Sequence, residues 1–160
     1  MVKLFLSTPC YGGQCLEKYA TSVIKLQIEL IKEGIQLMLD TTENESLVHR
    51  ARNVAVGRFL QKTDADVFMF IDADVEFTAD AVVRLVKSPH DVSVAVYPKK
   101  VVMWDQVKKA VAEGDERNMA MLSSSLVANI GAHKRTVENG FVELLDGPTG
   151  FMAIKRGAFE

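Results

Sequence analysis

"VFMFIDADVEF", residues Val67 to Phe77, runs five apolar residues straight into Asp72-Ala73-Asp74. A short unbroken apolar run with no polar alternation is the mark of a strand buried on both faces, which calls for helices above and below it. On its N-terminal side, strand and helix signals alternate. "KLFLS" (Lys3 to Ser7) reads as a strand ending at "TPCYGG", a loop marked by Pro9, Gly12 and Gly13. Leu16, Tyr19, Val23, Leu26 and Leu30 recur at three- and four-residue steps and predict an amphipathic helix closed by Gly34. "IQLML" (Ile35 to Leu39) is a second strand ending at Asp40. After the polar "DTTENE", Ser46 caps a helix reaching to about Gln61, whose buried stripe is Val48, Ala51, Ala55 and Phe59.

On the C-terminal side, Thr78 caps a short helix through Val86, "VSVAVY" (Val92 to Tyr97) is a fourth strand, and Trp104 to Glu113 is another helix. Met119 to Gly131 is apolar and serine-rich without a clear period and predicts no element. Asn139-Gly140 in "TVENGFVELL" separates two apolar-bearing runs, a two-residue hairpin signal, and "GFMAIKR" follows as a strand. The β-α-β-α-β order predicts an α/β fold, a mostly parallel sheet with helices on both faces, and a β-hairpin in the C-terminal third.

A chain of 160 residues is long enough for one domain burying roughly 70% of its unfolded surface and short for two. An apolar fraction of 48% and a charged fraction of 25% are those of a globular protein. The net charge of −2 argues against a strong grip on nucleic acid or anionic lipid, which only a local basic cluster would supply. The start has no signal-peptide pattern and no window spans a bilayer, so a cytoplasmic protein is expected. Cys10 and Cys15 read as free thiols. A zinc site joining them to His49, His90 or His133 lacks paired-ligand spacing. Met69, Met103, Met119 and Met121 read as core or loop fillers.

Ligands of open α/β sheets bind outside the carboxyl ends of the strands. Four strand ends here carry polar groups: Ser7, Thr8 and Tyr11; Asp40; Asp72 and Asp74; and Tyr97, Lys99 and Lys100. If the third strand stays extended, Asp72 and Asp74 share a face roughly 6 to 7 Å apart, a spacing that suits a hard divalent cation shared with substrate phosphates. The plainer reading is two aspartates opening a turn. On the helix that precedes the third strand His49, Arg52 and Asn53 project together while Arg50 points elsewhere.

"FIDADVEF" resembles the Asp-x-Asp signature of nucleotide-sugar-dependent glycosyltransferases with the GT-A fold, family 2 in particular. "STPCYGG", Asp40, "SLVHRARN", "YPKK" and "GPTGFMAIKRGAFE" fall in that family's order, so the likeness covers nearly all 160 residues. The resemblance implies transfer of a sugar from a nucleoside-diphosphate sugar, UDP-linked, to a hydroxyl acceptor with Mn²⁺ or Mg²⁺. Thr8, Tyr11 and Asp40 would hold the base, Pro9 would shape that loop, and Arg52 would lie beside base or diphosphate. Asp72 would contact ribose or metal and Asp74 would ligate the metal. Lys99 would face phosphate or acceptor, Gly150 would lie in the segment beside the donor sugar, and Asp146 is the candidate for acceptor activation.

Duller roles stand beside these: Tyr11 packing over its loop, Arg52 paired with Glu45 or Glu43, Lys99 and Lys100 a solvated turn. GT-A domains usually continue beyond the point where this chain stops at Glu160, and none of the three histidines follows "GPTGF" to serve as the family's further metal ligand. The expectation is a single glycosyltransferase-like domain over 1–160 lacking the C-terminal part, with a homodimer covering the face left open. The alternatives are a catalytically incomplete nucleotide-sugar-binding domain and a nucleotidyltransferase. The latter would carry a basic residue in "TPCYGGQC", where there is none.

Overall fold

The computed structural model describes residues 1–115, 119–129 and 136–159. His133 and the side chain of Met121, both weighed above, lie outside the described residues. In chain order the elements are β1 (Val2–Cys10), α1 (Glu17–Lys32), β2 (Ile35–Glu43), α2 (Val48–Lys62), β3 (Val67–Ile71), α3 (Ala79–Val86), β4 (Val92–Val94), α4 (Trp104–Ala112), α5 (Met119–Leu122), β5 (Val137–Glu138), β6 (Phe141–Val142) and β7 (Phe151–Lys155). Contacts cluster into two compact units, one of Met1–Ala95 with Thr149–Glu160 and one of Val96–Pro148.

In the first unit, five strands form a sheet in the order β2-β1-β3-β7-β4 among the described residues. β1 pairs in parallel with both β2 and β3, whereas β7 lies antiparallel between β3 and β4. The sheet is therefore mixed: β1, β2, β3 and β4 run the same way and β7 alone runs against them among the described residues. The reason lies where β7 starts: Phe151 pairs with Ile71, the last residue of β3, so the returning chain can only run backwards along it. All five residues of β3 are buried, as its unbroken apolar run requires.

Alternation along β1 sorts the two faces. Phe5 joins Ala55 and Phe59 of α2 with Phe68 and Phe70 of β3 in one cluster. Phe68 sits at its centre, 5.7 Å from Phe5, 5.3 Å from Phe59 and 4.5 Å from Phe70, ring centroid to centroid. Thr8, on the opposite face, is bonded to Tyr19 of α1, and α1 packs against α3. Helices thus cover both faces.

Local chemistry sets the start of α3. Thr78 caps α3 by accepting from Ala81 N at 3.3 Å. Ser46 does not cap α2: Leu47 occupies the cap without a side-chain bond, and Val48, expected in the buried stripe, is exposed. The rest of the expected stripe, Ala51, Ala55 and Phe59, is buried, and Ala55 and Phe59 pack with Phe5, Phe68 and Phe70 of the sheet. No helix of the described residues is long and apolar enough to cross a membrane.

In the second unit, Asn139 (φ 50°) and Gly140 (φ 76°) both take the left-handed conformation that a tight hairpin turn requires. They join β5 to β6, with Glu138 opposite Phe141. Two isolated bridges, Pro98 to Leu126 and Asn129 to Asp146, tie the rest of that unit together.

Candidate functional site

The carboxyl ends of β1, β2 and β3 point the same way, and most of the residues selected from sequence lie there. β3 ends at Ile71, and a turn closes at once, with Val75 N donating to Asp72 O at 3.0 Å. The strand is therefore not extended through Asp74, and the carboxylate spacing expected for an extended ladder does not apply. The turn is held from two sides: Asp72 N donates to Gly150 O at 3.0 Å, and Leu16 N donates to Ala73 O at 2.9 Å.

Arg52 reaches this turn from the second turn of α2. Its Nη2 donates to Asp72 Oδ1 at 2.8 Å and its Nη1 donates to Thr149 Oγ1 at 2.8 Å. The guanidinium carbon lies 5.5 Å from the Phe70 ring centroid, so the aromatic face backs it. Arg52 Nε is buried and has no hydrogen-bond partner, a donor that ordinarily finds one. Arg52 is thus joined to Asp72, not to Glu45 or Glu43; Arg50 is the residue that pairs with Glu45, at 3.6 Å. His49 and Asn53, expected to share its face, are exposed.

Asp40 belongs to a different knot. β2 continues past it to Glu43, so Asp40 lies inside the strand, directly opposite Ser7. Ser7 Oγ donates to Asp40 Oδ2 at 3.1 Å, and Arg58 Nη1 donates to Asp40 Oδ1 at 3.0 Å. Both carboxylate oxygens are engaged, and Arg58 also reaches Thr42 Oγ1 at 3.2 Å.

Thr8 is likewise inside β1, fully buried, and its hydroxyl bonds the Tyr19 phenol beneath the sheet end. Burial pushes the Tyr19 phenol up to about 12, against the opposing pull of the Thr8 bond. Pro9 sits opposite Thr42 in the last part of β1. Tyr11 is 74% exposed, on a single helical turn, Tyr11–Gly13, where Gly12 (φ 66°) and Gly13 (φ 69°) bend the chain back. Next to it, Cys10 is buried and Cys15 exposed, both free.

Lys99 and Asp146 belong to the second unit. Lys99 is exposed, with its backbone N donating to Ser125 O at 2.7 Å. Asp146 Oδ2 accepts from Asn129 Nδ2 at 2.9 Å. The fourth strand stops at Val94, so Tyr97, Lys99 and Lys100 do not follow directly from it.

Sequence reasoning missed Arg58, Tyr19 and Thr149. Arg58 was legible as a cation inside the helix that follows Asp40. Thr149 is the hydroxyl of the "GPTG" segment, beside the glycine that the resemblance points to. Tyr19 carries in the sequence only the signal of a helix-stripe residue.

A cation is implied by the family that the sequence resembles. Among the described residues no three of His, Cys, Asp and Glu gather as a metal site. Two aspartates on one turn fit a hard cation that takes its other ligands from phosphate and water, and Asp72 Oδ1 is already held by Arg52.

No family model and no curated protein matches the sequence. Among solved structures, the one described as "Crystal Structure of A197 from STIV" is similar, with a TM-score of 0.52 at 20% identity, covering 98% of this chain and 66% of that one. This chain therefore spans 66% of the length of that protein. The likeness is one of fold, an α/β protein with a mixed sheet.

Proposed function

We propose that this chain binds a nucleoside-diphosphate sugar, UDP-linked, at the carboxyl end of its parallel strands and transfers the sugar to a hydroxyl acceptor. The observation that carries the reading is the reach of Arg52. Its two bonds, to Asp72 and Thr149, gather the "RARN", "DAD" and "GPTG" segments at one point. A guanidinium fixed at a strand-end turn, whose two terminal nitrogens each keep a second N–H beyond the bonds to Asp72 and Thr149, is suited to an anionic oxygen.

In this reading Arg52 faces the diphosphate and offsets the charge that develops on the leaving group. Asp74, with Asp72, would hold Mn²⁺ or Mg²⁺; the bound ion supplies further neutralisation of the diphosphate. Tyr11, exposed on its turn, offers an aromatic face to the base. Thr8 and Asp40 support the site from within, since their polar atoms are engaged by Tyr19, Ser7 and Arg58.

A thermal-unfolding screen of nucleoside diphosphates and their sugar conjugates, with and without Mn²⁺, tests this. A ligand of the folded state raises the midpoint by an amount set by its concentration over its affinity. UDP with Mn²⁺ is expected to raise it. No shift with any nucleoside diphosphate, with or without the ion, overturns the reading.

A further inference from the structure

The second unit carries four consecutive exposed apolar residues, Val101, Val102, Met103 and Trp104. Their exposure follows from how the segment is held. Lys99 N donates to Ser125 O at 2.7 Å and Met103 N donates to Ser123 O at 2.8 Å. The chain is pinned at both ends of this stretch, and Lys100, Val101 and Val102 stand out between the pins. Val101 is 54% exposed, Val102 52% and Trp104 65%. Trp104 opens α4, and Lys108 and Val111 follow it at four and seven residues, on the same side of that helix. Val111 is 64% exposed.

Lysines bracket this apolar tip. Lys99 and Lys100 precede it, and Lys108 and Lys109 follow it within α4, all exposed. The two on α4 have only loose acidic neighbours, Asp105 at 3.9 Å and Glu113 at 3.8 Å, pairs too exposed to hold them. Exposed apolar residues with a tryptophan among them and lysines close by in the chain form the pattern of a segment seated in a bilayer interface. The whole chain carries a net charge of −2, so this clustering is local.

We infer that the tip formed by Val101, Val102 and Trp104 inserts into the interface of an anionic lipid bilayer, with Lys99, Lys100, Lys108 and Lys109 against the headgroups. A second copy of this chain is the rival occupant. It is less favoured because a two-fold interface would set this lysine-rimmed patch against an identical lysine-rimmed patch. The inference is independent of the glycosyl-transfer reading.

Trp104 is the sole tryptophan, so tryptophan emission, excited selectively over tyrosine, reports on this tip alone. The full chain is titrated with vesicles of phosphatidylcholine, with and without phosphatidylserine. A blue shift of Trp104 emission is expected with phosphatidylserine vesicles, weakened by salt, together with quenching by brominated acyl chains. Lys108→Glu with Lys109→Glu is expected to weaken vesicle binding at least ~10-fold, as loss of a local polybasic contact does. Val101→Asp with Val102→Asp is expected to abolish the shift, with circular dichroism checking that the fold is kept. Absence of any shift in the unaltered chain overturns the inference. So does a shift that appears on concentrating the protein without lipid and tracks a dimer in sedimentation.

Discussion

Arg52 Nη2 stands 2.8 Å from Asp72 Oδ1, joining the second turn of α2 to the first residue beyond β3. Both side chains are largely buried, so the bond is a charge-assisted one in a partly desolvated place. Arg52→Ala is expected to lower stability by about 1–3 kcal/mol, because Asp72 and Thr149 lose their donor. Urea unfolding measures this, and a double-mutant cycle with Asp72→Ala is expected to show coupling of about 0.5–3 kcal/mol. Arg52→Lys keeps the charge but not the fork that reaches two acceptors at once. A UDP-dependent thermal shift unchanged in Arg52→Lys would show that the pair serves stability alone.

Asp74→Ala is expected to remove the Mn²⁺-dependent part of UDP binding while the fold is kept, since Asp74 is exposed on its turn. Calorimetry with and without Mn²⁺ reads it directly. Equal affinity in both conditions for the variant and the unaltered chain would end the metal role.

Asp40 is expected to matter for stability before it matters for ligand. Asp40→Ala strands the buried Ser7 hydroxyl and removes the partner of Arg58, a loss of about 1–3 kcal/mol. Arg58→Ala is expected to cost less, since its side chain is more exposed than that of Asp40. A stable Asp40→Ala variant that had lost only UDP binding would assign the carboxylate to the base instead.

The Tyr19 phenol, pushed up to about 12 by burial, makes a pH prediction with a definite sign. The unfolded phenol titrates near about 10, so between there and about 12 the folded state binds more protons than the unfolded one. Stability supplied by this group is complete below the lower value and is lost as pH rises through the window. Tyr19→Phe is expected to flatten that part of the stability-against-pH curve. It also leaves the buried Thr8 hydroxyl without its partner, at about 1–3 kcal/mol. Midpoints of thermal unfolding for both chains across alkaline pH provide the measurement, and parallel curves would refute it.

Several elements were legible from local chemistry. β3 occupies Val67–Ile71, the bounds its apolar run marks, because five residues with no polar alternation have no face to turn to water. α3 begins at the threonine that caps it. The Asn139-Gly140 turn forms because both residues tolerate positive φ. β2 was less legible: it runs on to Glu43 through Asp40, Thr41 and Thr42 because β1 pairs with it along its whole length. Polar residues there looked like a loop only because the ladder that holds them comes from another part of the chain.

The candidate site divides along the same line. That an arginine, an aspartate and a glycine-containing segment are candidates was visible in residue types and their order. That Arg52 meets Asp72 and Thr149, 20 and 97 residues away, was not. Nor was the reversal of β7, which follows from the chain returning beside Ile71. Periodicity, capping and turn preference act over a few residues, and the chain alone settles them. Pairings between distant side chains depend on which strands become neighbours and in what register, and that exists only once the sheet has assembled.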